Sequence, residues 1–177
     1  PEGALLYAIP ALIEPPRRAG ARQSPAWLRA EAAEFQRRDL AAAIRAYGAL
    51  AASASADGDL RARALAAQAR TLRKAGRMAD ARQTYAQLGR LPGAWVGALP
   101  AGLVALDARC ELCEAAADLP GLASCGLDLY RGLIDGRWLL EKARFRFYAE
   151  RAKTWIASAG APPPQLGELA ALESRKA

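Results

Sequence analysis

The chain has no histidine, one methionine and three cysteines in 177 residues, and only 7% of it is aromatic. Without histidine it lacks the commonest general base and the commonest metal-ligating side chain. Acid–base catalysis would have to rest on a carboxylate or lysine of shifted pKa, and no carboxylate pair stands out for that work. Three thiols leave a tetrahedral zinc site one ligand short. The sequence therefore names no catalytic residue, no metal ligand and no cofactor. No apolar run approaches the ~18 residues of a membrane span, and no signal-peptide pattern opens the chain. The scarcity of aromatics leaves little material for sheets.

What is present is alanine, leucine and arginine. Hydrophobic residues make up 53%, and the 11 prolines gather mostly towards the two ends. That composition predicts closely packed helices punctuated at their ends. The net charge of +7 and pI near 9.8 would permit nucleic-acid binding. The basic residues are spread over every predicted helix among Asp and Glu, so a solvated surface is the better reading and no nucleic-acid partner is expected. CELC at 110–113 has redox-motif spacing but no preceding strand. It falls on an apolar helical stripe with Leu103, Leu106 and Ala117, which points to packed thiols. About a turn centred on Leu119, Cys113 and Cys125 fall at equal height, leaving open a disulfide between them or three free, buried thiols.

Apolar spacings of three and four run from Ala26 to Ala159. Residues 1–25 read as an extended strap or linker, with Leu5, Leu6, Tyr7 and Ile9 as its apolar part. Residues 26–159 form the helical domain, and 160–177 a linker or short helix. Ser24 can cap a first helix, with Trp27, Leu28, Ala32 and Phe35 inward; Asp39 can cap the next, with Ala43, Ile44, Tyr47 and Leu50 inward. A third helix enters at Asp59 or Leu60. A loop around Trp95 and Val96 is expected to fold back on its own repeat. A third pair turns at Leu119-Pro120-Gly121, and a long closing helix, Arg137 to Ala159, carries Trp138, Leu140, Phe147, Trp155 and Ile156.

The stretch from Leu65 to Leu88 is the most regular. Leu65, Ala69 and Leu72 share one face, Gly76 stops that helix, and Ala81, Tyr85 and Leu88 repeat the spacing on a second. This order of small residue, large residue, Gly, small residue and aromatic resembles a tetratricopeptide repeat (TPR). The resemblance covers about residues 26–134 and is weakest beyond 100, where Gly126 stands in place of an aromatic. It implies an all-α fold, a TPR-like right-handed superhelix of about three helical hairpins plus a long capping helix. It also implies a groove for a protein or peptide, or a small ligand, lined from the first helix of each pair. By helical phase the groove residues are Arg29, Gln36 and Arg37, then Arg63, Arg70, Arg73 and Lys74. Asp107, Glu111 and Glu114 follow on the third pair, and cross-repeat ion pairs between them and these bases are the structural alternative.

A second resemblance rests on DGRWLLEKARFRFYAE at 135–150 together with LYRGLIDGRW at 129–138, EFQRRDLAAAIRAY at 34–47 and ARTLRKAGRMADA at 69–81, with Gly136, Arg137, Trp138, Phe147 and Tyr148 as its signature. This segment is similar to the extracytoplasmic, periplasmic sensor region of bacterial membrane-bound sensor histidine kinases. It implies a non-catalytic sensor domain that passes a conformational change to membrane segments outside this sequence, with a homodimer compatible. The alternative is a TPR scaffold assembling an envelope or cytoplasmic complex.

Overall fold

The computed structural model describes residues 24–54, 57–160, 167 and 171. The N-terminal strap and the C-terminal linker or helix expected from the sequence lie outside these, apart from their nearest residues. Among the described residues the protein is all-α: seven helices and one two-stranded ribbon. The helices are α1 (Pro25–Glu31, extended by one π-helical turn, Ala32–Gln36), α2 (Leu40–Ser53), α3 (Gly58–Lys74), α4 (Met78–Gly89), α5 (Ala101–Ala115), α6 (Leu119–Ile134) and α7 (Lys142–Ser158). The described residues form two compact units, one ending at Ala105 and one beginning at Leu106, so the division falls inside α5.

Helix starts follow from side-chain caps. Ser24, Asp39, Asp57 and Asp118 each accept from a backbone N–H of the first turn. Asp57, rather than Asp59, starts α3. Because Asp118 caps α6, Leu119-Pro120 is the first turn of that helix and not the connection expected there. Proline at the start costs nothing, since its missing N–H would have been unpaired anyway.

The hairpin turns repeat one device. Gly76 (φ +74) donates to the Arg73 carbonyl at 3.0 Å while Arg77 donates to Leu72 at 3.0 Å. Ala117 and Asp118 repeat this with Glu114 and Cys113, and Gly136 and Arg137 with Leu133 and Gly132. This is the left-handed Schellman end that satisfies the last helical carbonyls. In the first hairpin Arg38 (φ 55) takes the left-handed place, and the bond from Asp39 reaches back to Ala33, one residue further. The π turn supplies that extra residue.

In the first unit Leu65, Ala69, Leu72, Ala81, Tyr85 and Leu88 are all buried, as their spacing requires. Ala43, Ile44, Tyr47 and Leu50 join them, each large apolar side chain contributing ~1.5–3 kcal/mol. The loop after α4 forms the ribbon β1 (Trp95–Val96) and β2 (Leu99–Pro100), and Trp95 N–H donates to Asp59 Oδ1 at 2.9 Å. The loop folds back on α3. In the second unit α7 packs on α6 over Leu122, Leu129, Tyr130, Leu133, Phe145, Trp155 and Ile156. Gly126 has its reason here: a Cβ would stand 3.0 Å from Ile156 Cγ1, so an aromatic would hold α7 away.

Three expected inward residues are exposed: Leu28 (50%), Phe35 (57%) and Phe147 (56%). The closing helix also begins at Lys142, later than expected, because residues 135–141 form the turn that returns Trp138 and Leu140 to the core.

Left-handed positions give a direct stability test. Gly76→Val should cost about 1–2 kcal/mol from backbone strain alone, since no atom lies within 4 Å of its added Cβ. Gly58→Val should cost less, its Cβ meeting only Ala94 at 3.8 Å. Ala117→Gly, which relieves a Cβ at φ 52, should stabilise by about 0.5–1 kcal/mol. Urea midpoints of the three variants check the order.

Candidate functional site

The site grows from the π turn that ends α1. A π turn widens the helix and shifts the following side chains round it. The buried face of α1 therefore runs through Trp27, Ala30, Ala33 and Glu34, while Leu28 and Phe35 turn out. Of the expected inward residues Trp27 is buried, Ala32 is half-buried, and Leu28 and Phe35 face out.

Glu34 is the unforeseen centre, its side chain fully shielded from solvent. Arg70 grips it with two hydrogen bonds, Nε to Oε1 at 3.1 Å and Nη2 to Oε2 at 2.7 Å. Lys74 Nζ donates to Oε1 at 2.7 Å, and Tyr47 Oη to Oε2 at 3.0 Å. Burial alone would raise this carboxyl. The hydrogen bonds from Arg70 and Lys74, the charge of Arg70 and the Tyr47 bond together outweigh it and hold the group below its ordinary value. The Tyr47 hydroxyl is pushed up by burial and by its bond to Glu34.

The same cations meet an exposed ring. Lys74 Nζ lies 4.7 Å and the Arg70 guanidinium 5.7 Å from the centre of Phe35. Further up α3, Arg63 sits 4.6 Å over Trp27, which packs edge-on against Tyr47 at 5.5 Å. The cationic row of α3 is thus laid on the aromatics of α1. Beside it is an open hollow lined by Leu28, Arg29, Glu31, Phe35, Gln36 and Arg37.

Of the groove residues expected from the sequence, Arg70 and Lys74 converge on Glu34 and Phe35, and Arg63 on Trp27. Arg29, Gln36 and Arg37 line the hollow. Arg73 is half-buried and engaged in contacts of its own. Arg70 and Lys74 of α3 pair with Glu34, and Asp107 and Glu111 pair with Arg151 of α7. Following the stripe from Trp27 in steps of seven would have found Glu34.

The cysteines are free and buried. Cys110 and Cys125 lie close enough to act on one another's titration, with Cys113 beside them. The turn between α5 and α6 sits at Ala117–Asp118 rather than Leu119, which brings Cys125 level with Cys110. Cys125 and burial push the Cys110 thiol well up, so it is a packing thiol. Among the described residues no group of His, Cys, Asp or Glu could hold a metal ion, and no helix is long and apolar enough to cross a membrane.

No protein-family profile, no curated protein and no solved structure matches this chain.

Proposed function

We propose that the chain is a non-catalytic, TPR-like binding module whose ligand face is the surface shared by α1 and α3. The observation that carries this is the exposed Phe35 ring with Arg70 and Lys74 laid against it beside the Leu28–Arg37 hollow. Glu34 holds both cations in place, so they meet a ligand without first being ordered. Arg29, Arg37, Arg70 and Lys74 suit an extended protein or peptide segment carrying carboxylates, and Phe35 suits an apolar side chain beside them. The left-handed ends at Arg38, Gly76 and Ala117, at intervals of 38 and 41 residues, support the repeat and with it the superhelix. The Gly136–Trp138 and Phe147–Tyr148 signature supports an extracytoplasmic sensor region of a histidine kinase, passing ligand binding to membrane segments as a population shift.

Fluorescein-labelled decapeptides alternating Glu with Leu or Phe are the test, with Lys replacing Glu as the control. Phe35→Ser and Arg37→Glu should each weaken the acidic peptides at least about tenfold, a loss of roughly 1.4 kcal/mol, without lowering the melting temperature. Equal binding of acidic and basic peptides, or indifference to both variants, sinks the reading. A scaffold is the second reading, favoured by the rigidity that Glu34 gives this face. Spin labels on α2 and α7 separate the two: peptide-dependent distances mark a sensor, unchanged ones a scaffold.

A further inference from the structure

The unit that begins at Leu106 holds a second cluster, built around one arginine shared by two carboxylates. Arg151 of α7 donates from Nη2 to Glu111 at 2.6 Å and keeps Nε 3.4 Å from Oδ1 of Asp107. Its guanidinium lies 4.6 Å from the centre of Trp155 and 5.9 Å from that of Phe147. Those rings and the Glu111 bond fix where it points. Asp107 is left with the poorer contact, and its Oδ1 is buried without a hydrogen bond. A negative charge on that oxygen forfeits its hydration, and one misaligned cation does not restore the loss.

The titratable and charged groups around Asp107 are few. Glu111 and Cys110 share its helix, Tyr148 and Arg151 face it from α7, and Cys125 of α6 stands behind Cys110. Arg144 acts on Tyr148. Burial is the largest influence on Asp107; Glu111 adds to it and Arg151 opposes it. The carboxyl is pushed up to about 6 from an ordinary 3.8.

We propose that Asp107 is a proton-binding site through which pH controls the α5–α7 contact, the helices packing more firmly when the proton is bound. The ligand here is the proton, and the proposal uses no residue of the α1–α3 face, so it stands whatever that face binds. The direction follows from linkage. A carboxyl raised in the folded state adds stability that is complete below its unfolded value of 3.8 and is lost as pH rises through about 6. Glu34, held low, acts only at more acid pH and in the opposite sense.

The test is a carbon-detected NMR titration of the aspartate side chains in the whole chain. One resonance, absent in Asp107→Asn, should titrate near about 6. Glu111→Gln should lower that midpoint and Arg151→Gln raise it, shifts that a merely structural aspartate would not show. At pH 7.5 Asp107→Asn should melt about 3–6 °C above the parent; at pH 4.5 the gain should vanish. Comparing the two proteins at each pH cancels whatever the thiols contribute. Amide protection in α7 should fall as the parent passes from pH 5 to 7.5, after correction for intrinsic exchange, and stay level in the variant. A midpoint in the ordinary range near ~3.9, or one pH profile for both proteins, overturns the proposal. Should Asp107→Asn not fold, the Glu111→Gln titration decides alone.

Discussion

Replacing Arg70 and Lys74 together by methionine should cost the protein about 2–4 kcal/mol. The changes remove every cation that touches Glu34 and leave its carboxylate with Tyr47 alone. Breaking a buried ion pair from one side typically costs ~3–5 kcal/mol, because the remaining charge stays dehydrated. The lower range applies here because Arg70 and Lys74 keep 42% and 43% of their side-chain surface in water, where screening weakens their pull. Either change alone should cost less than half as much, since one cation remains. Adding Glu34→Gln to the double variant should restore most of the loss, because the amide carries no charge and can still accept from Tyr47. Acid dependence gives a second reading. The parent carboxyl is depressed, so its contribution is present above the unfolded value of 4.5 and is lost as pH falls through the folded one. In the double variant that acid loss should disappear. Urea denaturation at pH 7 and pH 4 measures both; a loss under about 1 kcal/mol would mean Glu34 is not buried on these partners.

How far this architecture could be read from the sequence depends on which physical signal each residue sends. Residues 65–88 were legible because their pattern has one meaning. Buried Leu65, Ala69 and Leu72, a left-handed Gly76, and buried Ala81, Tyr85 and Leu88 all satisfy local rules that need no partner helix. Helix α1 misleads for the opposite reason. Its apolar residues suggest a stripe through Leu28 and Phe35, yet the buried face runs through a glutamate. Only the convergence of Arg70, Lys74 and Tyr47, distant in sequence, makes that burial affordable. A π turn following a seven-residue helix leaves little trace in spacing. The turn before α6 is misread from the sequence because Leu119-Pro120 looks like a connection, whereas Asp118 caps the helix and makes them its first turn. The candidate site was legible as a set of bases, Arg63, Arg70 and Lys74. Their geometry was not, because the acid and the rings that order them belong to another helix.

Trp138→Ala should be the most damaging single change in the second unit, at about 3–4 kcal/mol. The indole is 8% exposed, and truncating a buried Trp loses its transfer energy and leaves a cavity. Its position depends on Gly132, two residues before the end of α6. A Cβ there would stand 2.8 Å from Cζ3 and 2.9 Å from Cη2 of Trp138. A buried ring cannot retreat without displacing its neighbours, so the left-handed turn at Gly136 and the small residue at Gly132 work together to seat it. Gly132→Ala therefore sets two effects against each other. Alanine favours the helix by about 0.5–1 kcal/mol, while overpacking costs about 1–3 kcal/mol, and the parent should lose about 1–2 kcal/mol on balance. With Trp138→Ala already in place the clash is gone and only the propensity remains. There Gly132→Ala should stabilise by about 0.5–1 kcal/mol. A double-mutant cycle in urea reads this reversal of sign directly. If Gly132→Ala has the same effect in both backgrounds, the indole does not rest on that glycine, and the turn at residues 135–141 needs a different account.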